Sequence, residues 1–272
     1  MALPRLARLA VLLAAAGMLA SAGAAQERRG PPGGGERGPG GARPSFANPS
    51  AVIAAELAFA RDARERGQWT AFAAAAAPEA VMFVPEMVWA QQWLLGRANP
   101  PAALRWQPGE VWSSCDGSLM VSRGTWQAPA TAGAPPRQGW FTTLWQRQPD
   151  GTYRWVLDHG DEAASVPDQP EMIAAHVADC PPRPPRPEGA ADGREARPGK
   201  PAKPAKPPKP PKPRDLPPLD PAQRSGAAAD GSLRWTVAVT PDRARTLTVT
   251  WRHDGAEQTL LVDRVAAPAA KR

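Results

Sequence analysis

Two Asp-Gly dipeptides, Asp116-Gly117 and Asp150-Gly151, limit what this chain can become more than any other feature of it. Each sits between runs of alternating apolar residues, and Asp-Gly supplies the positive φ angles that a two-residue hairpin loop requires. GEVWSSCDGSLMVSRGTWQ and QGWFTTLWQRQPDGTYRWVLDHGD therefore read as two consecutive antiparallel hairpins. With Asp150 and Gly151 as the loop, Trp145 stands opposite Val156 and Thr143 opposite Asp158, while Leu144, Trp155, Leu157 and His159 point to the other face. Large apolar groups then occupy both faces. A sheet wet on one side alternates apolar with polar, so this one needs a cover on each side.

The residues before the hairpins supply one cover. Asn48, Pro49 and Ser50 open a helix, a cap residue followed by proline, with Ile53, Leu57 and Ala60 on one side and Gly67 at its end. A second short helix around Trp69 to Ala76 stops at Pro78, Val81 to Val84 reads as a strand stopped by Pro85, and Trp89 to Leu95 reads as a helix closed by Gly96. The second cover comes from the other end. A short helical stretch near Glu171 to Ala178 leads into the run PAKPAKPPKPPKP, and residues 232–265 read as three strands with turns at Pro241-Asp242 and Asp254-Gly255. Leu233, Trp235, Val237, Val239, Leu247, Val249 and Trp251 alternate on one side of this meander. Three strands alone are marginal, so docking that face onto the main sheet is the economical arrangement.

Much of the remaining chain lacks anything to bury. The 35 prolines and 24 glycines concentrate in residues 26–45, read as disordered, and in residues 181–231, read as a linker. Residues 1–25 carry Arg5 and Arg8, an apolar run from Leu9 to Leu19, and the small residues Ala22, Gly23 and Ala24. Those are the three parts of a secretory signal, cleaved after Ala24 or Ala25, and they predict a periplasmic or secreted protein. The apolar run is shorter than the ~20 residues of a membrane-spanning helix, and no later segment is as long or as uncharged. The formal charge of +7 is divided unevenly. Phe46 to Cys180 holds nine Arg and no Lys against seven Asp and seven Glu, whereas Pro181 to Ser225 holds eleven basic and five acidic residues. An acidic folded part argues against nucleic acid as a partner, because tracking phosphates needs clustered Lys and Arg on the folded surface. The run from Lys200 to Lys212 reads as a stiff polyproline II spacer, with contact to anionic envelope polymers as the alternative.

Export makes pairing of the two cysteines, Cys115 and Cys180, the expected state, with two buried free thiols as the alternative. Asp158, His159 and Asp161 are the one dense titratable group on regular structure, and as neighbours on a strand Asp158 and His159 face opposite sides, so only one can enter a cavity. A carboxylate in an apolar cavity has its pKa raised into a range useful for general acid/base work; the plainer alternative is a solvated strand end. His159 with Asp161, or His176 with Asp179 and Cys180, falls short of three or four converging ligands, so no metal and no cofactor are expected. Phe83, Trp89, Trp93, Trp145 and Asp158 are candidate pocket residues, with Arg105 and Glu86 as further neighbours, although most of the tryptophans will be core.

The stretches AVIAAELAFARDARERGQWTAF, EAVMFVPE, WLLGRANPP and GWFTTLWQRQPDGTYRWVLDHGD resemble exported, uncharacterised bacterial members of the nuclear transport factor 2-like superfamily, which includes SnoaL-like cyclases and ketosteroid isomerases. The likeness covers roughly residues 48 to 165. It implies an α+β cone, a curved antiparallel sheet packed on N-terminal helices around a pocket, over residues 46–180, with the three-stranded meander of 232–265 outside the shared core. It implies no particular reaction, since one fold serves enzymes and binding modules alike. The first reading is an exported module that binds a small apolar or aromatic ligand or is noncatalytic. The alternatives are an isomerase, dehydratase or cyclase using Asp158 or His159 as general acid/base, and an envelope interaction protein acting through its basic linker. A homodimer is compatible with each.

Overall fold

Helix α1 (Pro49–Arg66) begins where proline's missing N–H is harmless and ends at Gly67, whose φ of 100° disfavours any residue with a Cβ. The computed structural model describes residues 46–130, 135–168, 170–181 and 216–268. The expected signal sequence with its expected cleavage after Ala24 or Ala25, the segment 26–45, and the run from Lys200 to Lys212 lie outside them. α1 buries Val52, Glu56, Phe59, Ala60 and Ala63. The expected face of Ile53, Leu57 and Ala60 is thus rotated, with Leu57 43% exposed. Phe59 decides this: it packs edge-on against Phe72 and against Trp106, both at 4.8 Å between ring centroids.

After α2 (Gln68–Ala75), β1 (Ala76–Phe83) runs through Pro78, tolerated because the register shifts between Ala76 and Val81. The chain turns at Val84-Pro85, a cis peptide, into β2 (Met87–Trp89) and α3 (Ala90–Leu94). The two hairpins follow: β3 (Arg105–Ser113) with β4 (Leu119–Gln127), then β5 (Gln138–Arg147) with β6 (Tyr153–Glu162). β7 (Ala174–Val177) closes a seven-stranded sheet in the order β2-β1-β6-β5-β4-β3-β7.

This sheet corrects three expectations. It is mixed rather than antiparallel, because β1 lies parallel to β6 and β7 parallel to β3. The segment expected as a helix near Glu171 to Ala178 contains β7 instead; its helix-favouring Ala and Met yield to the free edge of β3, which offers backbone partners from Glu110 to Ser113. In the second hairpin Thr143 does face Asp158, but a bulge between Leu144 and Trp145 pairs Trp145 with Trp155 rather than Val156. One extra residue sends Trp155 to the same side as Trp145, and both join the cluster under α1 and α2, while Leu144 and Leu157 join the opposite one. We call these the inner and outer faces.

The outer face is covered by a second sheet, β8 (Gln223–Ala227), β9 (Leu233–Val239), β10 (Arg245–His253) and β11 (Ala256–Val265), in the order β11-β10-β9-β8. It has four strands, not three, and β8 falls in residues expected as linker. β8 shows no apolar alternation because it is an edge strand; its Gly226 lies so close to the Trp235 indole that a Cβ would come within 2.5 Å of the ring nitrogen. Leu233, Trp235, Val237, Leu247 and Val249 pack with Leu119, Val121, Leu144 and Leu157 in one buried cluster.

The sheets are also joined by a pair of matching turns. Asp116-Gly117-Ser118-Leu119 and Asp230-Gly231-Ser232-Leu233 face each other. The backbone N–H of Asp116 donates to Asp230 at 2.9 Å and that of Asp230 to Asp116 at 3.1 Å. Cys115 donates to the Ser232 hydroxyl at 2.9 Å and Ala229 to the Ser118 hydroxyl at 2.8 Å. Each turn thereby satisfies the other's N–H groups, which fixes the register of the docking.

Candidate functional site

A cavity of about 330 Å³ opens between α1, α2 and the inner face, walled by Phe59, Phe72, Trp106, Trp126 and Phe141. Its volume lies at the lower end of the ~300–1,000 Å³ range of ligand pockets. Two carboxyl groups project into this aromatic space, Glu56 from α1 and Asp158 from β6. Glu56 is completely buried. Its Oε1 accepts from Trp106 Nε1 at 2.8 Å, and its Oε2 from Ser122 Oγ at 2.6 Å and Trp145 Nε1 at 2.9 Å. Asp158 Oδ1 accepts from Thr143 Oγ1 at 3.0 Å, and its other oxygen has no protein donor among the described residues.

Burial decides the charge state of both groups. It raises Glu56 to about 7, against the three donors, which favour the ionised form, and with a smaller push from the negative charge of Asp158. Burial likewise raises Asp158 to about 6, opposed by Thr143. His159 moves the other way, to about 3, through burial and then the positive charge of Arg245, so it stays neutral at physiological pH.

Of the pocket residues expected from sequence, Phe83 and Asp158 stand on the cavity wall. Trp145 lies behind the wall, as a donor to Glu56. Trp89 is on the outer side, where its indole donates to the Pro217 carbonyl at 3.1 Å under the Arg224 guanidinium. Trp93 packs on Trp69 and under Arg97 away from the cavity. His159 faces outward, but β1 pairs with β6 only as far as Asp158, and past that point His159 reaches the cavity rim around the free strand edge. Arg105 is exposed outside the cavity, and Glu86 is exposed and paired with Arg243 at 2.9 Å. His176 stacks on Trp112, and Asp179 accepts from the Gly255 N–H at 2.9 Å. Cys115 and Cys180 lie at disulfide distance, with Cα atoms 5.0 Å apart. Among the described residues no three His, Cys, Asp or Glu side chains are grouped to hold a metal ion.

Glu56 is the functional candidate that the sequence reading missed. Its signal was present: Val52, Glu56, Phe59 and Ala63 are spaced four, three and four apart, which places a carboxylate within the apolar stripe. Trp126 owes its place on the wall to Gly139, directly beneath it. A Cβ on Gly139 would come within 2.5 Å of the Trp126 ring and would also meet the Asp161 carbonyl. Gly139→Ala is expected to lower stability by about 2 kcal/mol in denaturant unfolding and to change tryptophan emission; unchanged values for both would show that the β6 backbone at Asp161 and the Trp126 ring both make room.

No family model matches the sequence, and comparison with curated proteins found no match. Among solved structures, the chain is similar to a candidate ketosteroid isomerase from Parabacteroides distasonis, at 12% identity and a TM-score of 0.34, over 45% of this chain and 98% of that one. It is also similar to a nuclear transport factor 2-like protein of unknown function from Shewanella oneidensis, at 16% identity and a TM-score of 0.34, over 41% of this chain and 96% of that one.

Proposed function

We propose that this chain is an exported small-molecule-binding protein with a nuclear transport factor 2-like cone, and that its ligand occupies the cavity between α1, α2 and the inner face. The observation that carries this reading is the Asp158 carboxyl group, set in an aromatic wall with one oxygen unused by the protein. Flat rings suit walls built of indole and phenyl faces, and one polar group on the ligand would meet Asp158. Export is supported by the paired cysteines, which are compatible with an oxidising compartment, and no helix among the described residues is long and apolar enough to cross a membrane.

Mass spectrometry of molecules released when the natively purified protein is denatured tests this. A small apolar compound with a polar group is expected from the wild type and should be depleted from Leu104→Trp, which fills the cavity from its rim. Equal recovery of the same compound from both, or no retained compound and equal uptake of an apolar dye, would sink the reading.

A second reading, proton transfer, is favoured by the same carboxyl group. A pKa of about 6 leaves Asp158 able both to take and to return a proton near neutrality, whereas His159 at about 3 cannot. Deuterium exchange from D2O into the recovered ligand, present with the wild type and absent with Asp158→Asn, would distinguish catalysis from binding.

A further inference from the structure

Three of the buried side-chain nitrogens without a hydrogen-bond partner belong to two residues at one end of the cavity: Nδ1 and Nε2 of His159, and Nε of Arg245. Native structures leave few such groups, and each calls for something to satisfy it. Arg245 opens β10 and so belongs to the second sheet, yet it reaches the rim of the cavity on the first. Its Nη2 donates to the Gly160 carbonyl at 2.7 Å and its guanidinium lies over the Phe83 ring at 4.6 Å. Nη1 has no acceptor, and Arg245 forms no salt bridge, among the described residues.

Of the two arginines on the cavity wall, Arg137 has a carboxylate hydrogen-bonded to it and Arg245 does not. Glu162 is engaged by Arg137 at 2.8 Å on the exposed rim, and His159 is neutral. Asp161 acts on Arg245 electrostatically without a hydrogen bond to it. A partly desolvated guanidinium that has exchanged its water for a single carbonyl is under-compensated, and a carboxylate is the group whose shape and charge match it. One guanidinium can balance at most one negative charge, and Asp161 already offsets part of it, which disfavours a dianionic phosphate and leaves a monoanionic carboxylate as the better match.

We propose that the cavity takes a flat apolar ligand bearing a carboxylate, seated with the carboxylate against Arg245, so that the second sheet completes the binding site. This rests on the cavity being a ligand site. The rings of the ligand lie among Phe59, Phe72, Trp106 and Trp126, with the Asp158 carboxyl group facing them from β6. The His159 nitrogens and Arg245 Nε lie beneath the surface, so they join the seat only after the Phe83 or Arg245 side chain shifts, and Arg245 Nη1 makes the first contact.

The test compares 2-naphthoate with its neutral counterpart 2-naphthalenemethanol by calorimetry on the full chain. At about pH 5.5 the naphthoate is ionised, while Asp158 and Glu56, with pKa values near 6 and 7, largely keep their protons. The wild type is expected to bind naphthoate about tenfold tighter, the size of one charge-assisted hydrogen bond. Arg245→Gln should bring the two affinities to within about twofold while leaving the alcohol bound, and Arg245→Lys should retain part of the preference. Thermal unfolding of both variants confirms that they are folded. Equal affinities in the wild type, or a preference that survives in folded Arg245→Gln, would overturn the carboxylate seat and leave the cavity reading standing. Binding of neither probe to the wild type would overturn both.

Discussion

Glu56→Gln is expected to gain about 3 kcal/mol of stability relative to the wild type as the pH rises from about 4.5 to about 7.5. The sign follows from the direction of the shift. In the unfolded chain Glu56 ionises near 4.5, but in the folded protein it holds its proton until about 7. Between those values the folded state binds more protons than the unfolded one, so wild-type stability falls as pH rises, and glutamine has no such term. The glutamine exchanges one acceptor for a donor. Its carbonyl accepts from Trp106 and its amide donates to Ser122, while Trp145 Nε1 loses its 2.9 Å acceptor on residue 56 and keeps only the 3.0 Å contact with Ser122 Oγ, a cost that does not vary with pH. Asp158 adds a fall of the same sign between about 4 and 6, and His159 a rise between about 3 and 6.5, so the wild-type profile alone is a blend. The difference between wild type and variant cancels the His159 part and all of the Asp158 part except its small coupling to Glu56. Unfolding free energies from urea titrations across this range check it, and parallel curves would mean that the three donors hold Glu56 ionised with an ordinary pKa. A carboxyl group that weakens the fold at neutral pH is better explained by what it does in the cavity than by packing.

The hairpins were legible because turn chemistry and alternation are local. Asp116-Gly117 and Asp150-Gly151 declare themselves within a few residues, and Gly117 and Gly151 have positive φ; neither Asp does, so the loops run to four and three residues, closed by Ser114 with Leu119 and Gln148 with Thr152, rather than the two expected. What escaped was set by distant partners. The bulge that places Trp155 beside Trp145 follows from the fit of two sheet faces, β7 from a free edge on β3, and β8 from an edge on β9. None of these leaves a mark in the residues concerned. The same division runs through the site. Asp158 could be singled out from its strand, and the stripe holding Glu56 was readable but assigned to the wrong side of α1. Arg245, 87 positions after Asp158, meets the cavity only because the second sheet docks where it does. Long-range placement, rather than residue type, set the limit.

Loss of the Cys115–Cys180 link is the other change with a large expected effect, about 4 kcal/mol of stability for the 65-residue separation on the chain-entropy account. Its position makes the effect more than a loop constraint. Cys115 lies in the β3–β4 turn, where its carbonyl accepts from Ala47 N–H at 3.2 Å and its own N–H meets Ser232 of the second sheet. Cys180 follows a segment in which Ala178 donates to the Ser113 carbonyl and Asp179 to that of Arg252, both at 2.8 Å. The entry to α1, the first hairpin, the edge strand β7 and the second sheet therefore meet within a few residues of the two sulfurs. β7 has all four residues exposed, so little apolar burial would hold it without that tether. In Cys115→Ser/Cys180→Ser, the amides of β7 are expected to exchange first, while those of β5, paired on both sides along nearly its whole length, stay protected. Hydrogen exchange reads both parts of this directly. Uniform loss of protection across the whole sheet would show that the bond acts only through the unfolded chain, and an unchanged unfolding midpoint would show that hydrogen bonds and the buried outer face suffice without it.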